Sequence, residues 1–437
     1  MFKFLLLVQK GLAFLLAPED SNAVVSTQME KVTPVMDVLY DMDDTFYSKI
    51  SKSPVEKISS RDMRIPLKMR PGGYFGHFNP DGGDLGTGSG PFFDKAVINT
   101  VHLRYALQWT KKAEWGTDDA RKSVVNAFKD LMADAMPEFR RNSDSLCMTA
   151  GNGILGTVSA VTTASGVDTV TLGTDGFGAK LLRFGLKVNV YDSTLATHRT
   201  AGIEPEITFY DLANKIVKLT PAVAGIVATD VIVVSGLSGA SPVSLYGVPY
   251  HANNASTGTW LALDRALNPE IRANRVNAGG ALALPFPRLA LNKVGDRVGK
   301  NRKMKVTAWT HPCQVDAYEQ LGVLTSLINK TTKDDGLNLY FGNGFGSGMQ
   351  LAGAPIETSF SWDKKRIDFI VSEYWGRAEM HAPGFYEVDG RKIFELRGPS
   401  GGVATSQVFY ITASWNLFCK NPAAASYIDN LTVPTGY

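Results

Sequence analysis

His311 and Cys313 are the residues of this sequence whose types and spacing come nearest to chemistry. They open a stretch, 312–328, in which Val315, Tyr318, Leu321, Leu324 and Ile328 recur at helical spacing and Pro312 suits the first turn. A thiol at a helix N-terminus can have a lowered pKa, and an adjacent imidazole can take its proton. Together they would form a nucleophilic dyad. Spacing reveals no third group to orient the imidazole, and the plainer reading is a helix start with a small buried thiol. The glycine-alternating segment 342–348 has the texture of a phosphate loop. Such a loop must be followed by Lys-Ser/Thr on a helix, and none follows here, so it reads as a turn. His77, His102, His198, His251 and His381 stand apart from one another, with no pair at i, i+4 to hold a metal. Asp41, Asp43 and Asp44, like Asp334 and Asp335, lack calcium-loop spacing and read as solvated turns. No catalytic constellation, metal or cofactor is implied.

The elements around these residues look built for packing. The chain has 437 residues, of which 44% are hydrophobic and 20% charged, an ordinary globular balance with room for two to four compact units. Its net charge is +3, far less basic than a protein that neutralises many phosphates. Positive charge is concentrated at 288–305, where seven Lys and Arg face one Asp. Arg297, Lys300, Arg302, Lys303 and Lys305 form a patch facing either another subunit or nucleic acid. The three cysteines are too sparse and scattered for a disulfide framework or zinc cluster, and suit a reducing compartment.

At the N-terminus, Phe4, Leu5 and Leu6 and then Leu12, Phe14 and Leu15 are apolar, with Gln9, Lys10 and Gly11 between them. Neither half could span a bilayer. The reading here is an apolar arm that needs a partner surface, not a targeting signal. A short helix is expected over 24–40, then an extended run over 61–69 and a second over 95–109. Between them, 71–90 is too rich in glycine to pack as an element. The two runs predict a long hairpin with a tip at Gly72 and Gly73, carrying the aromatics Tyr74, Phe75, Phe78, Phe92 and Phe93. The spacing predicts an amphipathic helix over 117–141, with Thr117 as cap, Arg140 and Arg141 at its end and Pro137 as a kink or early stop. From 151 to about 240, short period-two strands alternate with turn residues, as in a small antiparallel barrel or sandwich. Strands are expected again at 305–309, 354–358, 366–371, 392–396 and 408–417.

This order of elements resembles the major capsid protein of tailed bacteriophages, the Hong Kong 97-like fold, which is also seen in encapsulins. The segments 349–356 and 415–428 look like the late strand and the terminus of that family. The resemblance implies an α+β fold with an N-terminal arm (1–55), an extended loop (56–115) and the spine helix of a peripheral domain (116–150). After an inserted β-barrel-like domain (151–240) would come an axial domain (241–350), then peripheral-domain strands with the C-terminal part of the axial domain (351–437). It implies a structural, non-enzymatic virion protein. Such a protein assembles in the bacterial host cytoplasm into hexamers and pentamers of an icosahedral shell around double-stranded DNA, without a membrane. Partners would be further copies of itself, the DNA by weak non-specific contact, a portal, a decoration protein and a separate scaffold, since no long scaffolding segment precedes the arm. Some members cross-link through an extended-loop Lys; residues 71–94 contain none. The rivals are another virion component such as a tail-tube subunit, an encapsulin-like compartment, and a thiol enzyme using Cys313 and His311.

Overall fold

A computed structural model describes residues 45–51, 55–57, 62–77, 79–111, 127–173, 176–200, 202–237, 239–299, 305–328, 350–397 and 403–437. The chain divides into two compact units. The larger comprises Thr45–Val101, Ser145–Met380 and Asn416–Tyr437, and the described part of the smaller comprises His102–Asp144 and His381–Trp415.

The larger unit begins with α1 (Thr45–Ser51) and β1 (Val55–Lys57). A hairpin follows, with β2 (Asp62–Arg70) antiparallel to β3 (Phe92–Asn99), in register from Asp62 opposite Asn99 to Lys68 opposite Phe93, with a one-residue shift before Arg70 meets Phe92. Period-two alternation sends Ile65, Ala96 and Ile98 into a core that also holds Trp260, Leu263, Ile271 and Phe418. The expected single strand over 95–109 is corrected here. β3 stops at Asn99, and β4 (Val101–Thr110) pairs elsewhere, with β20 (Val403–Cys419). The break has a physical cause: the Asn99 carbonyl is captured at 2.8 Å by the side-chain amide of the buried Asn416 and does not continue the ladder.

Six strands form the inserted domain: β5 (Ile154–Ala164), β6 (Val167–Leu172), β7 (Val188–Tyr191), β8 (Glu206–Asp211), β9 (Ile216–Thr220) and β10 (Val231–Val234). They run in the order β7-β10-β5-β6-β9-β8, every neighbouring pair antiparallel. The two end strands then meet. Val188 N–H donates to the Pro205 carbonyl and Ile207 N–H to that of Leu186, both at 3.0 Å, and Lys187 bridges Glu206. The sheet therefore closes into a barrel. The β5–β6 turn is Ser165-Gly166, both at positive φ (51° and 76°), the two-residue geometry whose twist matches a hairpin. β8 is a strand the sequence reading missed.

A mixed sheet follows in the order β13-β21-β17-β14-β16-β15. Its members are β13 (Asn274–Gly280), β14 (Val306–Thr310), β15 (Gln350–Leu351), β16 (Ala354–Thr358), β17 (Ile367–Val371) and β21 (Ser426–Leu431). β17 is buried along its whole length, as a central strand covered on both faces must be. Over the sheet lie α4 (Pro285–Val298), through Ala290, Leu291 and Val294, and α5 (Pro312–Ile328), through Val315. Between barrel and sheet come α3 (Val248–His251), β11 (Thr259–Trp260) and β12 (Leu263–Asp264). β18 (Trp375–Phe385), also missed from sequence, takes β1 as a parallel neighbour.

In the smaller unit, β19 (Ile393–Arg397) runs antiparallel to β20, with Phe409 packed between Trp109 and Phe385. α2 (Ala127–Cys147) is the long helix, and it corrects the expected one at two points. It runs through Pro137 and past Arg141 to Cys147. Arg141 is buried and paired with Glu138 one turn back, so its charge serves that pair and does not mark a helix end. Burial, with Glu138 and Asp134 nearby, pushes the Tyr105 phenol up to about 12. The cap at Thr117, the helix over 24–40, the arm aromatics and the loop 342–348 lie outside the described residues.

Candidate assembly surface

The hairpin is anchored at its root and exposed at its tip. At the root, Val97 N–H donates to the Leu261 carbonyl at 2.9 Å, closing part of the β3 edge, and Arg70 pairs with Glu270 at 3.0 Å. Beyond Arg70 the two backbones pinch together. Gly73 N–H donates to the Ser89 carbonyl at 2.7 Å, and Gly72 sits at a φ of +44°, where a Cβ would overlap the Gly90 carbonyl. Only glycine fits that close approach. Past the pinch, Phe75 is 101% exposed, Tyr74 68% and Leu85 70%, and at the start of β3 Phe92 and Phe93 are half or more in solvent. Full burial of one such ring is worth about 2–3 kcal/mol. These side chains form an exposed apolar cluster held away from the core. Phe78 lies outside the described residues.

Of the basic patch, Arg297 and Lys305 lie among the described residues, and each has a partner. Arg297 is exposed, and its guanidinium donates to the carbonyls of Arg272 and, at 2.7 Å, Pro269. Lys305 is paired with Glu373. Lys300, Arg302 and Lys303 lie outside the described residues.

Burial works against the thiol reading. Cys313 N–H donates to His311 Nδ1 at 3.1 Å, so the ring caps the first turn of α5 and that nitrogen faces the amide, not the sulfur. Desolvation pushes the Cys313 thiol up to about 12, outweighing the nearby Lys364. Cys147 and Cys419 are buried too. A maleimide probe at pH 7 is therefore expected to leave Cys313 unlabelled in the folded chain and to label it fully in urea. Stoichiometric labelling without denaturant would restore the dyad.

Two buried polar hubs hold the hairpin's surroundings together, and nothing in the sequence marked them. Asn416, fully buried, accepts the backbone N–H groups of Tyr246 and Leu417, both at 2.9 Å, while its amide holds Asn99. His251, also fully buried, accepts the Trp260 indole N–H on Nδ1 at 3.0 Å, so its Nε2–H donates to the Leu417 carbonyl at 3.1 Å. Burial lowers its pKa from 6.5 to about 3. The unfolded chain then binds the proton more readily than the folded one, and stability present above pH 6.5 drains away as the pH falls toward 3. The loss approaches about 1.4 kcal/mol per pH unit from this group. His251→Gln, whose amide can keep one donor and one acceptor, is expected to flatten that acid limb of urea-unfolding stability. Equal acid slopes for the two proteins would refute the assignment.

Among the described residues there is no cluster of His, Cys, Asp and Glu fit to hold a metal, and no helix long and apolar enough to cross a membrane. No family model matches the sequence, and no curated protein does. Solved structures do. The Cyanophage A-1(L) capsid asymmetric unit matches with a TM-score of 0.55 at 11% identity, over 92% of this chain and 97% of the other. The capsid of a native GTA particle gives 0.45 at 12% identity, over 96% of each chain. The holo-SrpI encapsulin complex from Synechococcus elongatus PCC 7942 gives 0.44 at 8% identity, over 97% and 98%. The assignment rests on the first: nearly the whole length of both chains follows one path, and the protein has the α+β fold of a phage capsid subunit.

Proposed function

We propose that the chain is the major capsid protein of a tailed bacteriophage, a subunit of hexamers and pentamers that build an icosahedral shell around double-stranded DNA. One observation carries the reading: on a capsid fold spanning the chain, a hairpin rooted in the core holds Phe75, Tyr74 and Leu85 out in solvent. A monomer gains nothing from such a tip. Repeated around a shell, it buries apolar surface at every subunit boundary, and many modest contacts add up cooperatively. In this reading the arm, with Phe4, Leu5, Leu6, Leu12, Phe14 and Leu15, overlaps a neighbour as the tip does, and it ends before α1, where Phe46, Tyr47 and Ile50 are buried in their own unit. Lys300, Arg302 and Lys303 keep the weak DNA-facing role. A separate scaffold, a portal and a decoration protein complete the partners, with assembly in the host cytoplasm.

The test is sedimentation velocity of the purified chain, alone and co-expressed with the other head proteins of its source, followed by negative-stain imaging of the fast fraction. Closed icosahedral particles are the expected result. A species near 47 kDa under both conditions, or tubes, would overturn the reading.

A further inference from the structure

The sheet of the smaller unit has one face against α2 and one face open. β4 alternates along its length, and Glu138, Arg141 and Asp134 of α2 act on the Tyr105 phenol, so Leu103, Tyr105 and Leu107 face the helix. His102, Arg104, Ala106 and Gln108 point the other way and are exposed. β20 obeys the same rule. Phe409, Ile411 and Ala413 are buried, Phe409 against Trp109 at 5.7 Å, while Tyr410, Thr412 and Ser414 are half-buried. Ser414 Oγ lies 2.7 Å from His102 Nδ1, which places these three on the open face.

On that face Phe394 of β19 meets both Tyr386, at 5.8 Å between ring centroids, and Tyr410, at 6.1 Å. Tyr386 is 44% exposed, and the other two rings are half-buried. The three rings make an apolar strip that stays partly bare to solvent.

The strip fits an extended apolar segment. In an extended chain, side chains on one side recur every second residue, about 6.6 Å apart, close to the spacing of the rings. Phe2, Phe4, Leu6 and Val8 alternate in this way at the N-terminus. The hairpin tip does not match the strip: Tyr74 and Phe75 are adjacent in sequence, and a Cβ on Gly86 would meet the Tyr74 ring at 3.4 Å, so that ring lies over its own loop. Reach is ample. Residues 1–44 precede α1, and a chain of that length extends up to about 145 Å, enough to cross from the subunit that anchors it to a second copy.

We propose that the open face of the smaller unit, at Tyr386, Phe394 and Tyr410, receives the N-terminal segment of a second copy as an extended strap, with Phe2, Phe4 and Leu6 on the rings. The proposal rests on the shell reading only for the presence of that second copy.

The experiment co-expresses two versions of the full-length chain, alone and with the other head proteins of its source. One carries the photo-reactive residue p-benzoylphenylalanine at position 410, the other an affinity tag at its C-terminus. After irradiation, adducts captured on the tag join two copies, and mass spectrometry finds the joined peptide. Residues 1–17 of the tagged copy are expected. Phe4→Ser/Leu6→Ser in that copy is expected to cut the adduct at least about threefold; an undiminished adduct overturns the proposal. Joining to residues 71–91 hands the face to the hairpin tip, and joining within one chain hands it to the chain's own arm; either result overturns the proposal, as does the absence of any adduct from 1–17. Should the probe at 410 disturb folding, position 386 takes its place with the same expectations. An arm adduct between copies in small oligomers leaves this inference standing without a shell. Closed shells that give no arm adduct leave the shell reading standing without this inference.

Discussion

Excising residues 71–91 and joining Arg70 to Phe92 through Asn-Gly is expected to give a soluble, folded subunit that builds no shells. Arg70 and Phe92 already face each other across the hairpin, so a two-residue turn closes the ladder without shifting its register. The root keeps Ile65, Ala96 and Ile98 in their core, and Arg70 keeps Glu270. Nothing in the folded unit depends on the tip rings, which lie in solvent. The melting temperature should move by no more than about 2–4 °C, since a loop of this length contributes about 1 kcal/mol of closure entropy either way. Particle yield by sedimentation should fall below detection. Shells of normal shape from the excised chain would remove the hairpin tip from the assembly surface, while unfolded protein would show that the tip stabilises its own subunit.

The second large effect is expected at Asn416. Replacing it with Ala strands the N–H groups of Tyr246 and Leu417 and the Asn99 carbonyl in a fully buried place. Each orphaned group costs about 1–3 kcal/mol, so the three together cost on the order of 3–9 kcal/mol. Asp is the informative partner substitution: it keeps both acceptor bonds but cannot donate to Asn99. It should recover part of the loss if the hub works as described. Urea unfolding followed by tryptophan emission reads both. A cost under about 1 kcal/mol for Asn416→Ala would mean that water or a backbone shift replaces the lost bonds.

What could be read from the sequence was local pattern. β6 and β9 show clean alternation of buried and half-buried residues, and both were visible as period-two runs. α5 was visible from its apolar spacing and Pro312, and the hairpin tip from its glycines. β18 escaped because Gly376, Arg377, Glu379, Pro383 and Gly384 break every strand signal; it is a strand because its neighbours pair with it, not because its residues prefer to extend. The end of α2 was misplaced because a basic pair at a helix terminus and a buried Arg–Glu pair look alike in one dimension. Gly247 carried no mark of its own, although a Cβ there would overlap the carbonyl oxygens of Cys147 and Thr149. The hubs at Asn416 and His251 join residues far apart along the chain, and no spacing rule reaches across such intervals.

The barrel's closure has one more consequence. Its entry and exit run side by side: Ala150 bridges Tyr246, Ser244 N–H donates to the Gly151 carbonyl at 2.9 Å, and Val233 faces Ile154 across the first and last strands. The polypeptide therefore leaves the host fold and returns to it through a neck two strands wide, about 5 Å across. A module attached in this way behaves as a cartridge in a socket. Its length, sequence and surface can change while the frame receives the same two ends at the same spacing. A closed barrel also offers no free β-edge along its sides, so even a crowded array of these cartridges lacks the exposed strands through which neighbours would zip together.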